Sequence, residues 1–326
     1  MNGYSELQLG PLDEVRATVA LHPGVSLLSL AAGSVGGRPH GVPGHWRRGV
    51  AGVIGEDAAA LKPLFDPYCS IIPDCLTATA TMVEGDVETY LEMLEDLDPA
   101  TLIRELEAEF GAGAPVHWQP VVDRPRAWLR VYARLMRRLW EDFAPTWHRA
   151  GGLLGKERER VGVAAVTGAL EAVLTGLNSR FRFGGTSIRL PDQQGRRFDL
   201  GGRKLTFVPV VSGHGACLFS FDRPGLAWIG YPVPAVGLLW SGHEAESDEK
   251  DSLALTVGRV RATILRAGRV PLTMGELAGL LSCTPATASY HCDQLQAAGL
   301  LERERHGRHV RIGLTSRGEA LVDLMS

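Results

Sequence analysis

The chain has 326 residues, of which 45% are hydrophobic and 22% charged, and its formal net charge is -3. This length leaves room for two or three domains with buried cores, and this composition excludes a wholly disordered chain. The charge is uneven, because residues 254–326 carry nine basic and six acidic side chains whereas residues 1–253 carry twenty-five and thirty-one. A basic C-terminal part on an acidic body is typical of a nucleic-acid-binding module joined to a second domain.

Cysteine usage and hydropathy favour a cytoplasmic protein. The chain has five scattered cysteines and no Cys-x-x-Cys motif, as expected for free thiols in a reducing compartment. No basic segment followed by an apolar run opens the chain, and its most apolar stretch, residues 25–35, is too short to span a bilayer. We therefore expect cytoplasmic localisation and no membrane partner.

Residues 1–180 are predicted to form a mostly helical effector-binding or dimerisation domain. Its clearest element is a helix over residues 124–149, since apolar side chains recur there at helical spacing from Trp128 to Phe143. Residues 33–55 are rich in glycine and proline and are predicted to be a loop. Shorter helices are predicted over residues 86–97, 99–110 and 156–177.

Residues 181–240 are predicted to form a small β-rich subdomain. Short β-branched or aromatic runs alternate there with turn residues, which indicates strands of a small antiparallel sheet. The predicted strands are residues 187–190, 198–200, 205–211, 216–221 and 227–233. The acidic run 241–252 is predicted to be a linker.

Residues 253–326 are predicted to form a winged helix-turn-helix. A first helix is expected to end near Gly268, and Thr273 with Glu276 has the spacing of a capping box for a second. Thr284 is a candidate N-cap for the third helix, which Gly299 ends. Two short helices joined by a tight turn form a helix-turn-helix, whose second helix enters the major groove of DNA. The predicted fold class is therefore α+β, with a mostly helical N-terminal domain, a small antiparallel sheet and a C-terminal winged helix-turn-helix.

The third helix and the following hairpin supply the candidate DNA-contacting residues. Helical geometry turns Ala288, Cys292 and Leu295 inward and leaves short or polar side chains outside, where they suit base edges and phosphates. Asp293 also points outward, where it would either accept from a cytosine amino group or simply be solvated, and we expect solvation. The hairpin carries arginines and histidines that suit phosphates or the minor groove. The predicted DNA-binding residues are Thr273, Thr284, Ala286, Thr287, Ser289, Tyr290, His291, Gln294, Arg303, Arg305, His306, Arg308, His309 and Arg311.

The run TMGELAGLLSCTPATASYHCDQLQAAGLLERERHGRHVRIGLTSRGEAL resembles the winged helix of the arsenical-resistance-repressor (ArsR) family. It departs at Cys292, where leucine is usual. The matching residues are Thr273, Glu276, Leu277, Ala278, Pro285, Thr287, Ser289, His291, Leu295, Ala298, Gly299 and Leu300. The preceding run LTFVPVVSGHGACLFSFDRPGLAWIGYPV resembles, more loosely, large actinobacterial members with a long N-terminal domain.

These resemblances imply a homodimeric, sequence-specific repressor that binds a double-stranded DNA operator. The N-terminal domain would respond to a small-molecule effector, and a dimer would read two half-sites about one DNA turn apart. The cysteine pair of the family's metal sensors would fall near Ala278 and Leu280 and is absent, so no metal and no cofactor are expected.

Two alternatives accompany this interpretation. The winged helix would instead be a protein-interaction module on a non-catalytic scaffold, which the wing arginines and the lack of large aliphatic side chains on the third helix disfavour.

The seven tryptophans, all outside the winged helix, either enclose an apolar small molecule or pack the core and a subunit contact. The sequence contains no nucleophile elbow, phosphate loop or zinc signature, so we do not expect an enzyme.

Overall fold

The fold is α+β, as predicted, with a helical and β-sheet body followed by a winged helix. The computed structural model describes residues 3–35, 41–66, 71–82, 86–111, 113–178, 180–223, 225–234, 236–237, 239, 251–281, 283–306 and 309–325. The helices of the body are α1 Pro23–Val35, α2 Gly44–Ile54, α3 Val87–Glu95, α4 Pro99–Phe110, α5 Gln119–Asp123, α6 Pro125–Arg149, α7 Gly151–Thr167 and α8 Leu170–Thr175. Its strands are β1 Tyr4–Gln8, β2 Ala17–Val19, β3 Arg182–Phe183, β4 Ser187–Pro191, β5 Arg197–Asp199, β6 Lys204–Val210, β7 Leu218–Ser220 and β8 Leu226–Pro232.

Helix α6 is the centre of the helical core, and its predicted apolar face is buried from Trp128 to Phe143. The Trp128 ring stacks on Tyr132 with centroids 5.2 Å apart, and its indole N–H donates to the Ala60 carbonyl at 3.1 Å. The Tyr132 hydroxyl donates to the Leu76 carbonyl at 3.2 Å, which ties α6 to the 3-10 turn at Asp74–Leu76. Trp128 is therefore a core residue.

Two local predictions for the helical region are wrong. The expected loop over residues 33–55 contains α2, because Trp46, Val50 and Ile54 recur every four residues and form a buried face. The expected helix over residues 156–177 is two helices, since the left-handed backbone of Gly168, at φ 72°, ends α7 before α8 begins.

The strands form two mixed four-stranded sheets, ordered β3-β4-β1-β5 and β2-β6-β8-β7, so the prediction of one small antiparallel sheet is wrong. β6 pairs in parallel with both β2 and β8, and β5 pairs in parallel with β1. β1 and β2 come from the first twenty residues, where local patterning carries no information about partners far along the chain.

The C-terminal module has its own core and a three-stranded sheet ordered β10-β11-β9. Its elements are α9 Ser252–Val257, α10 Arg259–Ala267, β9 Leu272–Thr273, α11 Met274–Leu280, α12 Pro285–Ala297, β10 Leu301–His306, β11 His309–Leu314 and α13 Ser316–Leu324. The predicted first helix is interrupted at Gly258, whose φ of 87° separates α9 from α10. Residues 241–250 of the predicted linker lie outside the described residues. Over the described ranges, no helix combines the length and apolarity that a membrane span requires.

Candidate nucleic-acid interface

Side-chain caps fix the two helices of the helix-turn-helix. The Thr273 backbone N–H donates to Glu276 Oε2 at 2.8 Å, and the Glu276 N–H donates back to Thr273 Oγ1 at 3.3 Å. At the start of α12, Thr284 Oγ1 accepts from the Thr287 N–H at 3.2 Å. Both predicted caps are therefore present, and they satisfy backbone donors that the first turn leaves without helical partners.

One side of α12 faces solvent. Its exposed members are Ala286, Thr287, Tyr290 and Gln294, which we call the α12 outer face. The Tyr290 side chain is 58% exposed, an unusual position for a large aromatic residue. The opposite side is buried in the module's core through Ala288, Cys292 and Leu295, as helical geometry predicts.

Arg303 of β10 supports α12. Its Nη2 lies 2.5 Å from Asp293 Oδ1 and 3.3 Å from the Ser289 hydroxyl oxygen, so one guanidinium contacts two successive turns of the helix. The expectation that Asp293 is merely solvated is therefore wrong. The Arg303–Asp293 ion pair lies beside the α12 outer face, where Asp293 is 56% exposed.

The hairpin after α12 is present, with β10 and β11 paired from Leu301–Leu314 to His306–His309. Arg305 is exposed on β10. The predicted contacts of His306 and His309 depend on side chains outside the described residues, and Arg308 also lies outside them.

Arg311 and Thr273 lie on another edge of the module. They are opposite each other in the β11–β9 pairing. Arg311 Nη2 donates to the Ala172 carbonyl of α8 at 3.4 Å, and the guanidinium fills the space that a side chain at Gly176 would need. Burial lowers the pKa of Arg311, the charge of Glu276 partly offsets this, and the charge of Arg160 lowers the pKa further. The structure therefore does not place Arg311 with the α12 outer face.

A second contact of the module with the body lies at Arg269 and Val270. The Val270 side chain joins the core of the body, while Arg269 Nη1 lies 3.1 Å from His214 Nε2 and Arg269 Nη2 pairs with Asp323. We call the surface formed by Arg269, Val270 and Arg311 the docked edge. Sequence patterning did not predict it, because a single apolar residue and two arginines carry no signal about a partner domain.

His214 is held as a neutral imidazole at this contact. Its Nδ1 is 3.0 Å from the Gly41 carbonyl, which can only accept, so Nδ1 carries the hydrogen and Nε2 accepts from Arg269. Burial and the charge of Arg269 lower the pKa of His214 to about 3. The contact therefore depends on an uncharged histidine.

The C-terminal module is similar to one known protein family. A family model described as the MarR family matches residues 262–312, which include α11, α12 and most of the hairpin. No curated protein and no solved structure matches the chain. The match supports a winged-helix transcription regulator that binds DNA. Across the described part of the chain, no three His, Cys, Asp or Glu side chains are grouped so that they could hold a metal ion.

Proposed function

We propose that the protein is a cytoplasmic, homodimeric transcriptional repressor of ArsR-like type that binds an operator and is controlled by a small molecule through its N-terminal body. The observation that carries the DNA-binding part is the α12 outer face. It is a capped helix in a matched winged-helix domain, with small and polar side chains turned to solvent and a basic hairpin beside it.

In this proposal the start of α12 enters the major groove. Ala286 and Thr287 are short enough to let the backbone come close to the bases. Tyr290 and Gln294 lie one and two turns further along the same face, and a glutamine amide can donate to and accept from a base edge. Arg305 on the hairpin would contact phosphates.

The first and last helices of the module support the dimer. Leu255 of α9 and Leu324 of α13 are 79% and 80% exposed, and Val260 of α10 is 42% exposed. Ile264 is fully buried inside the module and is not available for a subunit contact. If two copies pair through this apolar surface, the dimer presents two α12 helices to DNA. Leu324→Asp should then shift the mass measured by light scattering from dimer to monomer.

The direct test of the proposal is binding to the DNA upstream of the protein's own gene, measured by gel shift and by fluorescence anisotropy. Gln294→Ala should alter the sequence preference, at roughly 1–3 kcal/mol for a good base contact. Gln296→Ala is the matched control, because Gln296 is also exposed on α12 but lies on the other side of the helix. If neither this DNA nor a random-sequence library selects the protein, the interaction-module alternative replaces the regulator.

A further inference from the structure

The N-terminal body contains a cavity of about 890 Å³. It lies between α4, the Asp74–Leu76 turn, strand β7 and the segment that follows β4. This volume is typical of sites that enclose a drug-sized molecule.

One wall of the cavity is aromatic. Phe219 and Phe221 stack with ring centroids 4.7 Å apart, and Phe198 meets Phe221 edge-on at 5.5 Å. Trp228, the tryptophan that lines the cavity, donates its indole N–H to Thr79 and so presents its ring as an apolar surface. Aromatic faces bind flat apolar groups, and their negative quadrupoles attract cations.

The lining is also rich in acidic side chains. The described lining has three guanidinium groups, at Arg180, Arg196 and Arg223, and no lysine. Against them stand the six carboxyl groups of Asp66, Asp74, Glu105, Glu109, Asp192 and Asp222. The lining therefore has an excess of negative charge beside the aromatic wall.

The excess is concentrated around Arg223. Its Nε is 2.5 Å from Asp74 Oδ2, and its Nη2 is 3.4 Å from Glu105 Oε1. The Ser220 hydroxyl lies between Asp74, at 3.2 Å, and Asp222, at 3.1 Å, but carries only one proton to donate. The Arg223 guanidinium thus contacts two carboxyl groups, and the third, Asp222, is linked to Asp74 through the Ser220 hydroxyl. Burial raises the pKa of Asp74, Arg223 partly offsets this rise, and the neighbouring charges of Asp222 and Glu105 add to it.

We propose that this cavity binds an amphipathic organic cation, with its aromatic part against Phe219 and Phe221 and its positive charge toward Asp222 and Asp74. As an assignment of the effector, the inference rests on the proposed regulatory function; as a binding site, it rests on the cavity alone. Glu105 is supplied by Arg223 and by the Cys75 backbone N–H, and Asp74 by Arg223, whereas Asp222 has only the Ser220 proton that it shares with Asp74. A cationic group would supply Asp222 with a positive charge and a hydrogen-bond donor.

The position of the cavity suits an effector. Trp228 and Ser220 are paired across β8 and β7, and Tyr231 lies three residues further along β8. The Tyr231 hydroxyl donates to the buried Glu157 at 2.7 Å, and Glu157 pairs with Arg160 at 2.6 Å. The charge of Arg160 acts on Arg311 at the docked edge. Strand β8 therefore carries both Trp228 of the cavity lining and Tyr231 of the buried Tyr231–Glu157–Arg160 network, whose Arg160 lies near the docked edge.

The test uses the full-length protein and two fluorescent dyes that share a phenylxanthene frame but differ in charge. Rhodamine 6G is a cation and fluorescein is an anion at neutral pH. Fluorescence anisotropy without DNA should show rhodamine 6G binding and little fluorescein binding. Asp222→Asn should weaken rhodamine 6G binding about tenfold, and Phe219→Ala should weaken it as well. Asp13→Asn, which removes the same charge from an exposed turn outside the cavity, should change nothing.

Equal binding of the two dyes, no binding of rhodamine 6G, or an unchanged affinity in both cavity variants overturns the proposal. DNA binding is measured separately, without dye, so the two proposals fail independently. If the protein binds rhodamine 6G but not DNA, the cation site in the cavity stands and the proposed regulatory function is overturned. DNA binding with no dye binding leaves the proposed regulatory function standing and overturns the cation site in the cavity. Where both occur, an operator affinity that saturating rhodamine 6G leaves unchanged overturns the effector role.

Discussion

The α12 outer face and the docked edge belong to the same small module, yet their surroundings differ. Thr287 and Gln294 on the outer face are exposed to solvent. Arg311 on the docked edge rests on a carbonyl of α8, and Val270 is part of the core of the body. The module thus contacts the body through the docked edge and exposes the α12 outer face to solvent.

This difference gives the arginines of the winged helix distinct tasks. Arg303 contacts Asp293 and Ser289 and supports α12, Arg311 and Arg269 contact the body, and Arg305 is exposed on the hairpin. Counting basic residues along the sequence treats these four as equivalent. Their environments differ, because Arg305 is exposed on the hairpin whereas Arg303, Arg311 and Arg269 have the structural contacts named above.

The largest expected effect concerns the integrity of the module. A Cβ at Gly318 would overlap the carbonyl oxygen of Leu300, which is backbone and cannot move aside. Gly318→Ala should therefore destabilise the winged helix by on the order of 3 kcal/mol. Hydrogen exchange followed by mass spectrometry should show lost protection in α12 and α13, together with lost DNA binding.

Gly313→Ala is the control for this change, because the nearest atom to a Cβ there is a Pro271 carbon at 3.9 Å. All seven tryptophans lie outside the module, so tryptophan fluorescence reports the body alone. Equal protection in the two variants would contradict the close packing of α13 on the Leu300 carbonyl between α12 and β10.

The second prediction tests the docked edge by pH. The pKa of His214 is about 3 in the folded protein and 6.5 for an ordinary histidine. Below pH 6.5 the unfolded chain therefore binds a proton at His214 that the folded protein does not bind. The contribution of His214 to the free energy of unfolding should be fully present above pH 6.5 and should decrease as the pH drops toward 3. At pH 5 the loss from this group should be about 2 kcal/mol. Urea unfolding at pH 7 and pH 5 measures the loss.

His214→Gln isolates the contribution of the docked edge. A glutamine amide can still donate to Gly41 and accept from Arg269, but it does not titrate. The variant should therefore lose less stability between pH 7 and pH 5 than the parent. Burial also lowers the pKa of His22, which remains in both proteins and cancels in the comparison. Identical losses would mean that His214 is charged in the folded protein.

The third prediction compares two arginines of the hairpin. Arg305→Ala should weaken binding to all DNA by roughly 1 kcal/mol and flatten the dependence of log affinity on log salt by about one unit, since one phosphate contact is lost. Arg311→Ala should leave that slope unchanged, because its guanidinium lies on Ala172 and Gly176. Salt titrations of both variants on one DNA fragment provide the measurement. Equal flattening would place Arg311 on the DNA as well.

The sequence predicted the winged helix in detail because its signals are local. Thr284 and its partner Thr287 are three residues apart, as are Thr273 and Glu276, and each pair is found as expected. The sheets of the body could not be predicted in the same way. Val19 pairs with Phe207, and nothing near either residue specifies the other. The cavity was missed for the same reason, since Asp74 and Arg223 come together only in the folded chain.

The smallest expected effect concerns the ion pair beside the outer face. Arg303 and Asp293 are both partly exposed, so Asp293→Asn should change the free energy of unfolding by less than about 1 kcal/mol. The same change removes a negative charge next to the surface that we propose meets DNA and leaves Arg303 without its carboxylate partner. DNA affinity should therefore rise severalfold at low salt, and the gain should shrink as salt increases. Glu319→Gln changes the net charge equally at an exposed site on α13 and serves as the control. An affinity gain of the same size in both variants would reduce the effect to net charge alone, whereas a loss in Asp293→Asn would mean that the ion pair is needed to hold α12 in its binding position.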